Sequence, residues 1–210
     1  MVTIKEIKEK ALVEHIPIIM DDSLEVIKDI LIKEKPKNIL EIGAATGYSA
    51  ISFAKILLEN CRGEVPPSPV NIDTIELDET RANEAIENIK QMDLSNNINV
   101  IKGNAVEILP TIDKKYDIIF IDAAKGKYPT FLKEAIRLSH KGSIIIADNI
   151  LYKGYVMSDY NKHKQRTAVT HLREYIKLVT EDNRLETEIL EVGDGLSISK
   201  VQFEWENGKW

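Results

Sequence analysis

Apolar residues along the chain gather in short, β-branched-rich runs separated by longer segments in which they recur every three or four positions. The runs are Asn38 to Gly43, Asn71 to Leu77, Ile98 to Gly103, Tyr116 to Asp122 and Ser143 to Asp148. Between them, Ser49 to Glu59, Glu79 to Met92 and Tyr128 to His140 carry helical spacing. Strands alternating with helices predict a doubly wound α/β domain, a mostly parallel sheet with helices on both faces. After Asn149 the pattern changes to a polar stretch, a helix around Thr167 to Val179, and two further runs, Leu185 to Glu191 and Leu196 to Phe203. Val192-Gly193-Asp194-Gly195 between those runs is a hairpin signal, so an antiparallel pair is expected at one edge of a seven-stranded sheet. Residues 1–35 read as helical and are expected to cover one face or the substrate side.

Composition narrows the class. At 210 residues and 43% hydrophobic the chain can build one domain, 1–210, with a full core. Three prolines in Cys61-Arg62-Gly63-Glu64-Val65-Pro66-Pro67-Ser68-Pro69 forbid regular helix or a central strand, and that segment reads as a surface insertion. No apolar run approaches the roughly 20 residues of a membrane span, and Met1 to Lys10 lacks the apolar core of a signal peptide. One cysteine, Cys61, excludes an intramolecular disulfide and a thiolate metal cluster. A cytoplasmic protein without a membrane partner is expected.

Net charge is −6, which does not advertise polyanion binding, but its distribution is uneven. Between Leu151 and Lys177, six basic residues (Lys153, Lys162, Lys164, Arg166, Arg173, Lys177) face two acids (Asp159, Glu174), giving +4 there and leaving −10 on the remainder. Such a stretch can bind phosphates or can be a solvated face.

The candidate chemistry sits at strand ends. Tyr116-Asp117-Ile118-Ile119-Phe120-Ile121 stops on Asp122, with Lys125 one loop turn beyond, and Ser143-Ile144-Ile145-Ile146-Ala147 stops on Asp148-Asn149. The two ends are one βαβ repeat apart, so neighbouring parallel strands would deliver both carboxylates to one sheet edge. Strands lie about 4.8 Å apart, and Asp122, Asp148 and Asn149 can converge on one ion. They offer only oxygen, which suits magnesium, manganese or calcium rather than zinc. The plainer alternative is that Asp and Asn end strands because they suit the turn that follows.

Upstream, Glu41-Ile42-Gly43-Ala44-Ala45-Thr46-Gly47-Tyr48-Ser49 joins the first strand to its helix. Two glycines let the backbone turn tightly and approach a ligand. The third glycine of a dinucleotide fingerprint is missing, as is the Gly-Lys-Ser/Thr of a triphosphate site. Glu41 ahead of the turn suits a positively charged ligand better than a pyrophosphate. Glu76, ending the second strand, can accept both ribose hydroxyls of an adenosine, or can merely cap the helix that starts near Glu79. Gly103-Asn104-Ala105 ends the third strand where an adenine edge would lie. Adenosine with a positive centre and no phosphate describes S-adenosylmethionine.

These motifs together resemble the cation-dependent O-methyltransferases, the family of catechol and caffeoyl-CoA methyltransferases and their bacterial relatives. The markers are Glu41 to Ser49, Ile75-Glu76, Phe120-Ile-Asp-Ala-Ala-Lys125, Ala147-Asp-Asn149, Arg166-Thr167 and Val192-Gly-Asp-Gly195, and the likeness runs from His15 to Lys200. It implies a Rossmann-like class I methyltransferase fold. It implies Asp122, Asp148 and Asn149 as ligands of Mg2+ (or Mn2+ or Ca2+) and Lys125 as the catalytic base. Met20, Glu41, Gly43, Ser49, Glu76, Asn104, Ala105 and Asp122 match positions that line the cofactor. One departure is Asn104, where the family usually has Asp. Three protein oxygens would leave an octahedral ion room for two vicinal substrate oxygens and a water. Lys125 would act as base if its pKa is lowered, or as an ammonium that steadies an oxyanion.

The loop Asp122-Ala123-Ala124-Lys125-Gly126-Lys127-Tyr128 resembles the bacterial branch containing the tRNA 5-hydroxyuridine methyltransferases. Wobble-uridine methylation, with the basic stretch 151–177 on RNA phosphates, is the favoured expectation. The alternative acceptor is a small catechol-like phenol. A homodimer is a family-level expectation. A regulatory protein that has lost catalysis fits poorly with intact Asp122, Lys125, Asp148 and Asn149, and a nicotinamide oxidoreductase fits poorly without the glycine fingerprint.

Overall fold

In the computed structural model, residues 2–60, 70–158 and 165–203 are described. The proline-rich segment from Cys61, and Lys162 and Lys164 of the basic stretch, lie outside them.

The chain divides into two compact units, Met1–Ile108 and Leu109–Trp210. The first contains helices α1 (Ile4–Val13), α2 (Asp21–Glu34), α3 (Tyr48–Asn60), α4 (Glu79–Gln91) and α5 (Ala105–Ile108), and strands β1 (Asn38–Ile42), β2 (Asn71–Glu76) and β3 (Ile98–Lys102). Both strand pairs are parallel, with Ile42 opposite Ile75 and Glu76 opposite Lys102. β1 and the second half of β2 are buried, as expected where helices cover a parallel sheet, while β3 at the edge is only partly shielded. Ile39, Leu40, Ile42, Ile72 and Ile75 are almost wholly shielded. Helix α3 is buried at every position from Tyr48 to Ala54, and α1 and α2 pack against it. Thr3 and Glu6 form a reciprocal capping box at the start of α1, which satisfies two orphan donors there.

The second unit contains β4 (Tyr116–Ile121), α6 (Tyr128–Arg137), β5 (Ser139–Ala147), α7 (Arg166–Glu181), β6 (Leu185–Leu190) and β7 (Leu196–Val201). β4 and β5 are parallel, while β7 runs antiparallel to both β5 and β6. The seven strands are ordered β3-β2-β1-β4-β5-β7-β6 in one sheet. This is the Rossmann-like α/β fold with an antiparallel edge hairpin.

The sequence reading is furthest from the structure between α6 and β5, the other boundaries shifting by one or two residues. The helix expected to reach His140 ends at Arg137, and β5 begins at Ser139 rather than Ser143. Ser139 pairs with Tyr116, after which the register shifts before Ile118 meets Ile144. The Ser143 hydroxyl bridges the irregularity, donating to the Tyr116 carbonyl and accepting from the His140 N–H. Polar residues at Ser139 to Gly142 disguise this strand start, because its pairing follows from tertiary contacts rather than from alternation.

Candidate active site

In the first unit the backbone donors of the turn after β1 tie the ends of β1 and β2 together. Gly43 and Gly47 adopt φ of 107° and 82°, and Ala45 between them also lies at positive φ. A Cβ at Gly47 would stand 3.2 Å from the Ala85 Cβ, so glycine permits α4 to approach the turn as well as the turn itself. The N–H groups of Gly43 and Ala44 donate to the Ile75 carbonyl at 3.0 and 3.1 Å. Asn88 donates to the Thr46 carbonyl at 3.0 Å and fixes the far side of the loop. Ser49 lies buried in the first turn of α3.

Glu76 is the organising acid of this half. Its Oε2 accepts the Ala45 N–H at 2.7 Å and its Oε1 accepts the Asp78 N–H at 2.9 Å, tying the β1 turn to the β2 end. The cap of α4 is Asp78, whose carboxylate accepts the Arg81 N–H, so Glu76 is not held there as a helix cap. Each carboxylate oxygen retains a lone pair for a ribose hydroxyl. Leu77, next in the chain, is 72% exposed. A large apolar side chain displayed beside that acid offers a face for a purine. Sequence reading absorbed Leu77 into its strand, and the only signal for it is its place after Glu76.

Glu41 is fully buried on β1 and accepts the Thr74 hydroxyl. Asn104 spends its side chain locally, accepting the Val106 N–H at 3.0 Å and donating to Glu107 at 2.9 Å, and thereby starts α5 at Ala105. Met20 precedes α2 and is 48% exposed, directly after the buried Ile19.

In the second unit, β4 and β5 bring the two acidic ends together as their spacing predicts. Ile121 pairs with Ala147, and the Asp148 N–H donates to the Ile121 carbonyl at 3.0 Å. Asp148 is fully buried, and its Oδ1 accepts the Asn149 N–H at 2.8 Å. Asn149 takes a left-handed φ of 56°, which Asn tolerates better than most residues. Its Oδ1 accepts from Lys125 Nζ at 3.0 Å, and that Nζ also lies 5.8 Å from the Tyr152 ring centroid. Burial pushes the Asp122 carboxyl up, and the Lys125 charge draws it part of the way back.

Tyr128 closes this centre from below. Fully buried at the start of α6, it donates to the Asp148 carbonyl at 2.8 Å. Desolvation, and then the charges of Asp122 and Asp148, push its hydroxyl well above the ordinary phenol range. Among the described residues no group of three His, Cys, Asp or Glu gathers into a metal centre, so the candidate donor set is two carboxylates and the amide of Asn149. All three donors are hard oxygens, and their chemistry fits a magnesium-like ion.

Segment Ile150–Ser158 follows these residues and is held at both ends. Ile150 N–H donates to the Gly195 carbonyl at 3.0 Å, Leu151 N–H to the Asp194 carbonyl at 2.8 Å, and Lys153 N–H to Asp194 Oδ1 at 3.0 Å. Val192 to Gly195, expected only as a hairpin turn, is thus also the anchor of the residues after Asn149. At the other end Arg173 donates to the carbonyls of Tyr155, Val156 and Ser158. Sequence counting placed Arg173 with the phosphate-binding candidates, whereas its guanidinium is engaged with backbone. Lys177 faces Glu181 at 3.9 Å. No charge count could have found either use.

Comparison with known proteins settles the class. Residues 2–201 match the O-methyltransferase family, and the chain belongs to it, in the S-adenosylmethionine-dependent class of catechol and caffeoyl-CoA type. It is 32% identical over 175 residues to a catechol O-methyltransferase of Niastella koreensis, covering 79% of this chain and 74% of that protein. Among solved structures, a candidate caffeoyl-CoA O-methyltransferase from Staphylococcus aureus superposes with a TM-score of 0.84 at 32% identity, covering 95% of this chain and 92% of that one. An O-methyltransferase from Bacillus cereus, solved with SAH, gives a TM-score of 0.81 at 27% identity, covering 95% and 90%.

Proposed function

We propose that this enzyme methylates one of two vicinal oxygens on its acceptor with the help of a divalent cation, and that the acceptor is 5-hydroxyuridine in tRNA. The observation that carries the reaction is the Lys125 Nζ 3.0 Å from Asn149 Oδ1, at a strand end shared with Asp148 and next to Asp122. S-adenosylmethionine supplies an electrophilic methyl on a sulfonium. Glu76 and Ala105 receive its adenosine end, Leu77 gives the base an apolar face, and Gly43 leaves room for close backbone approach. Met20 and Ser49 border the same donor, and Glu41 adds a negative charge beneath the turn.

Asp122, Asp148 and Asn149 would hold the cation, which when bound stabilises the acceptor as an oxyanion. As a neutral amine Lys125 would take the proton of the reacting hydroxyl; as an ammonium it would stand beside the oxyanion while solvent takes the proton. The new oxygen–methyl bond forms as the sulfur–methyl bond breaks, and S-adenosylhomocysteine leaves. Orientation of the two reactants supplies much of the rate.

A 5-hydroxyuracil presents its 5-oxygen beside O4, the same pair of donors a catechol offers. Lys153, Arg166 and the neighbouring Lys127 are exposed cations suited to RNA phosphates. An acidic chain with one cysteine acting on tRNA would work in the cytoplasm, as a homodimer by analogy with its family. A small catechol-like phenol is the second reading, favoured by the 32% identity to a catechol O-methyltransferase and by the diversion of Arg173 to a backbone clamp.

Labelled methyl incorporation into hypomodified tRNA containing 5-hydroxyuridine, compared with a simple catechol, separates the two. The tRNA reading expects label in tRNA at least tenfold faster than in the phenol at equal concentration. Efficient labelling of the phenol with untouched tRNA overturns it.

A further inference from the structure

We propose that Tyr128 is a positioning residue that sets the cation-binding end of β5, with Tyr175 as its buttress. The proposal rests on the reading of Asp122, Asp148 and Asn149 as a cation centre. A buried phenol is costly unless its hydroxyl is hydrogen-bonded. The Tyr128 hydroxyl meets the Asp148 carbonyl at 2.8 Å, with the Ile121 carbonyl at a longer 3.5 Å. Those two carbonyls belong to Asp148, directly after β5, and to Ile121, the last residue of β4 and the one before Asp122. One side chain thus spans the two strand ends that carry the donors.

The ring itself is fixed from behind. Tyr175 of α7 packs edge-on against it, with centroids 5.5 Å apart and planes at 80°. The Tyr175 hydroxyl is 2.8 Å from Ser197 Oγ, and Ser197 is the β7 residue paired with Ala147. Both tyrosines are fully buried. From Asp148 through Tyr128 and Tyr175 to Ser197 the contacts return to the β5 residue beside Asp148, so the path closes on itself. Phenylalanine at 128 would fill the same volume and leave the Asp148 carbonyl without this donor. Packing alone therefore does not require tyrosine.

Outer partners of metal ligands change metal affinity by about 10- to 100-fold when removed. The test is calorimetric titration of Mn2+ into the full chain for wild type, Tyr128→Phe and Tyr175→Phe, with S-adenosylhomocysteine binding measured alongside. Tyr128→Phe is expected to weaken Mn2+ binding about 10-fold while S-adenosylhomocysteine affinity stays within about twofold. Tyr175→Phe should shift Mn2+ affinity in the same direction by a smaller factor, and it carries the test if Tyr128→Phe does not fold. A fall in melting temperature with unchanged Mn2+ affinity in both variants would make the pair merely structural and overturn the proposal. Failure of the wild type to bind Mn2+ would instead overturn the cation reading, and the positioning role with it.

Discussion

Glu76 and Asp148 show how differently two strand-end acids are used. Glu76 holds two backbone N–H groups, one on each oxygen, and so organises a loop as well as offering a ligand contact. Glutamine there would turn an amide NH2 toward one of those donors. Hydrogen bonds to charged groups contribute about 1.5–3 kcal/mol, so Glu76→Gln should weaken S-adenosylhomocysteine binding by roughly 10- to 100-fold in calorimetry. Asp148 has its contacts on β4, α6 and its own following residue. Asp148→Ala is expected to abolish cation-stimulated turnover while leaving S-adenosylhomocysteine affinity largely intact. Full activity of that variant in chelator would refute the ligand assignment.

At the level of elements, the chain after Asn149 depends on a hairpin loop at least 41 residues downstream. Gly195 has a φ of +91°, and a Cβ there would fall 2.3 Å from the Leu151 Cγ. Left-handed strain and overpacking together predict a loss of roughly 2–4 kcal/mol for Gly195→Ala. That corresponds to a drop of roughly 5–15 °C in Tm for a chain of this size. Adding Leu151→Ala should recover only part of the steric cost, because the Leu151 Cβ that remains would lie 2.8 Å from the new Cβ, and none of the backbone part, which a thermal melt of the double variant resolves. Arg173→Ala should accelerate amide exchange in Tyr155–Ser158 and raise KM for any acceptor, whereas Lys177→Ala should do neither. If Arg173→Ala instead lowered only tRNA affinity and flattened its salt dependence, the residue would be a phosphate contact. Where α7 meets β6, Arg184 holds the Asp182 carboxyl below its ordinary range. That stabilisation is present above the unfolded carboxyl pKa near 4 and is lost as pH falls through the lower folded value. An acid titration of Arg184→Ala should show a shallower loss of stability, the difference being less than about 1 kcal/mol for a partly exposed pair.

Across the whole molecule, what could be read in advance follows the range of the forces involved. Parallel strands declare themselves because both faces are buried: Ile118 to Ile121 and Ile144 to Ala147 are apolar without interruption, and Ile39 to Ile42 is broken only by the buried Glu41. The adjoining ends of β4 and β5 are legible because a strand's end is a local event and the βαβ spacing fixes which ends meet. Tyr128, Arg173 and Gly195 were not legible in their roles. Each acts through a partner 15 to 44 residues away, and nothing in the local pattern distinguishes a buried tyrosine latch from an ordinary helix start. The polar opening of β5 escaped for the same reason.

The most direct test of the account is the rate of methyl transfer from labelled S-adenosylmethionine to the accepted substrate in EDTA, and again after excess Mg2+ is restored. Asp122, Asp148 and Asn149 as a cation centre predict loss of turnover in chelator to background and full recovery on adding the ion. Unchanged turnover in EDTA, with S-adenosylmethionine still bound, would contradict the central claim and leave Lys125 alone to manage the acceptor.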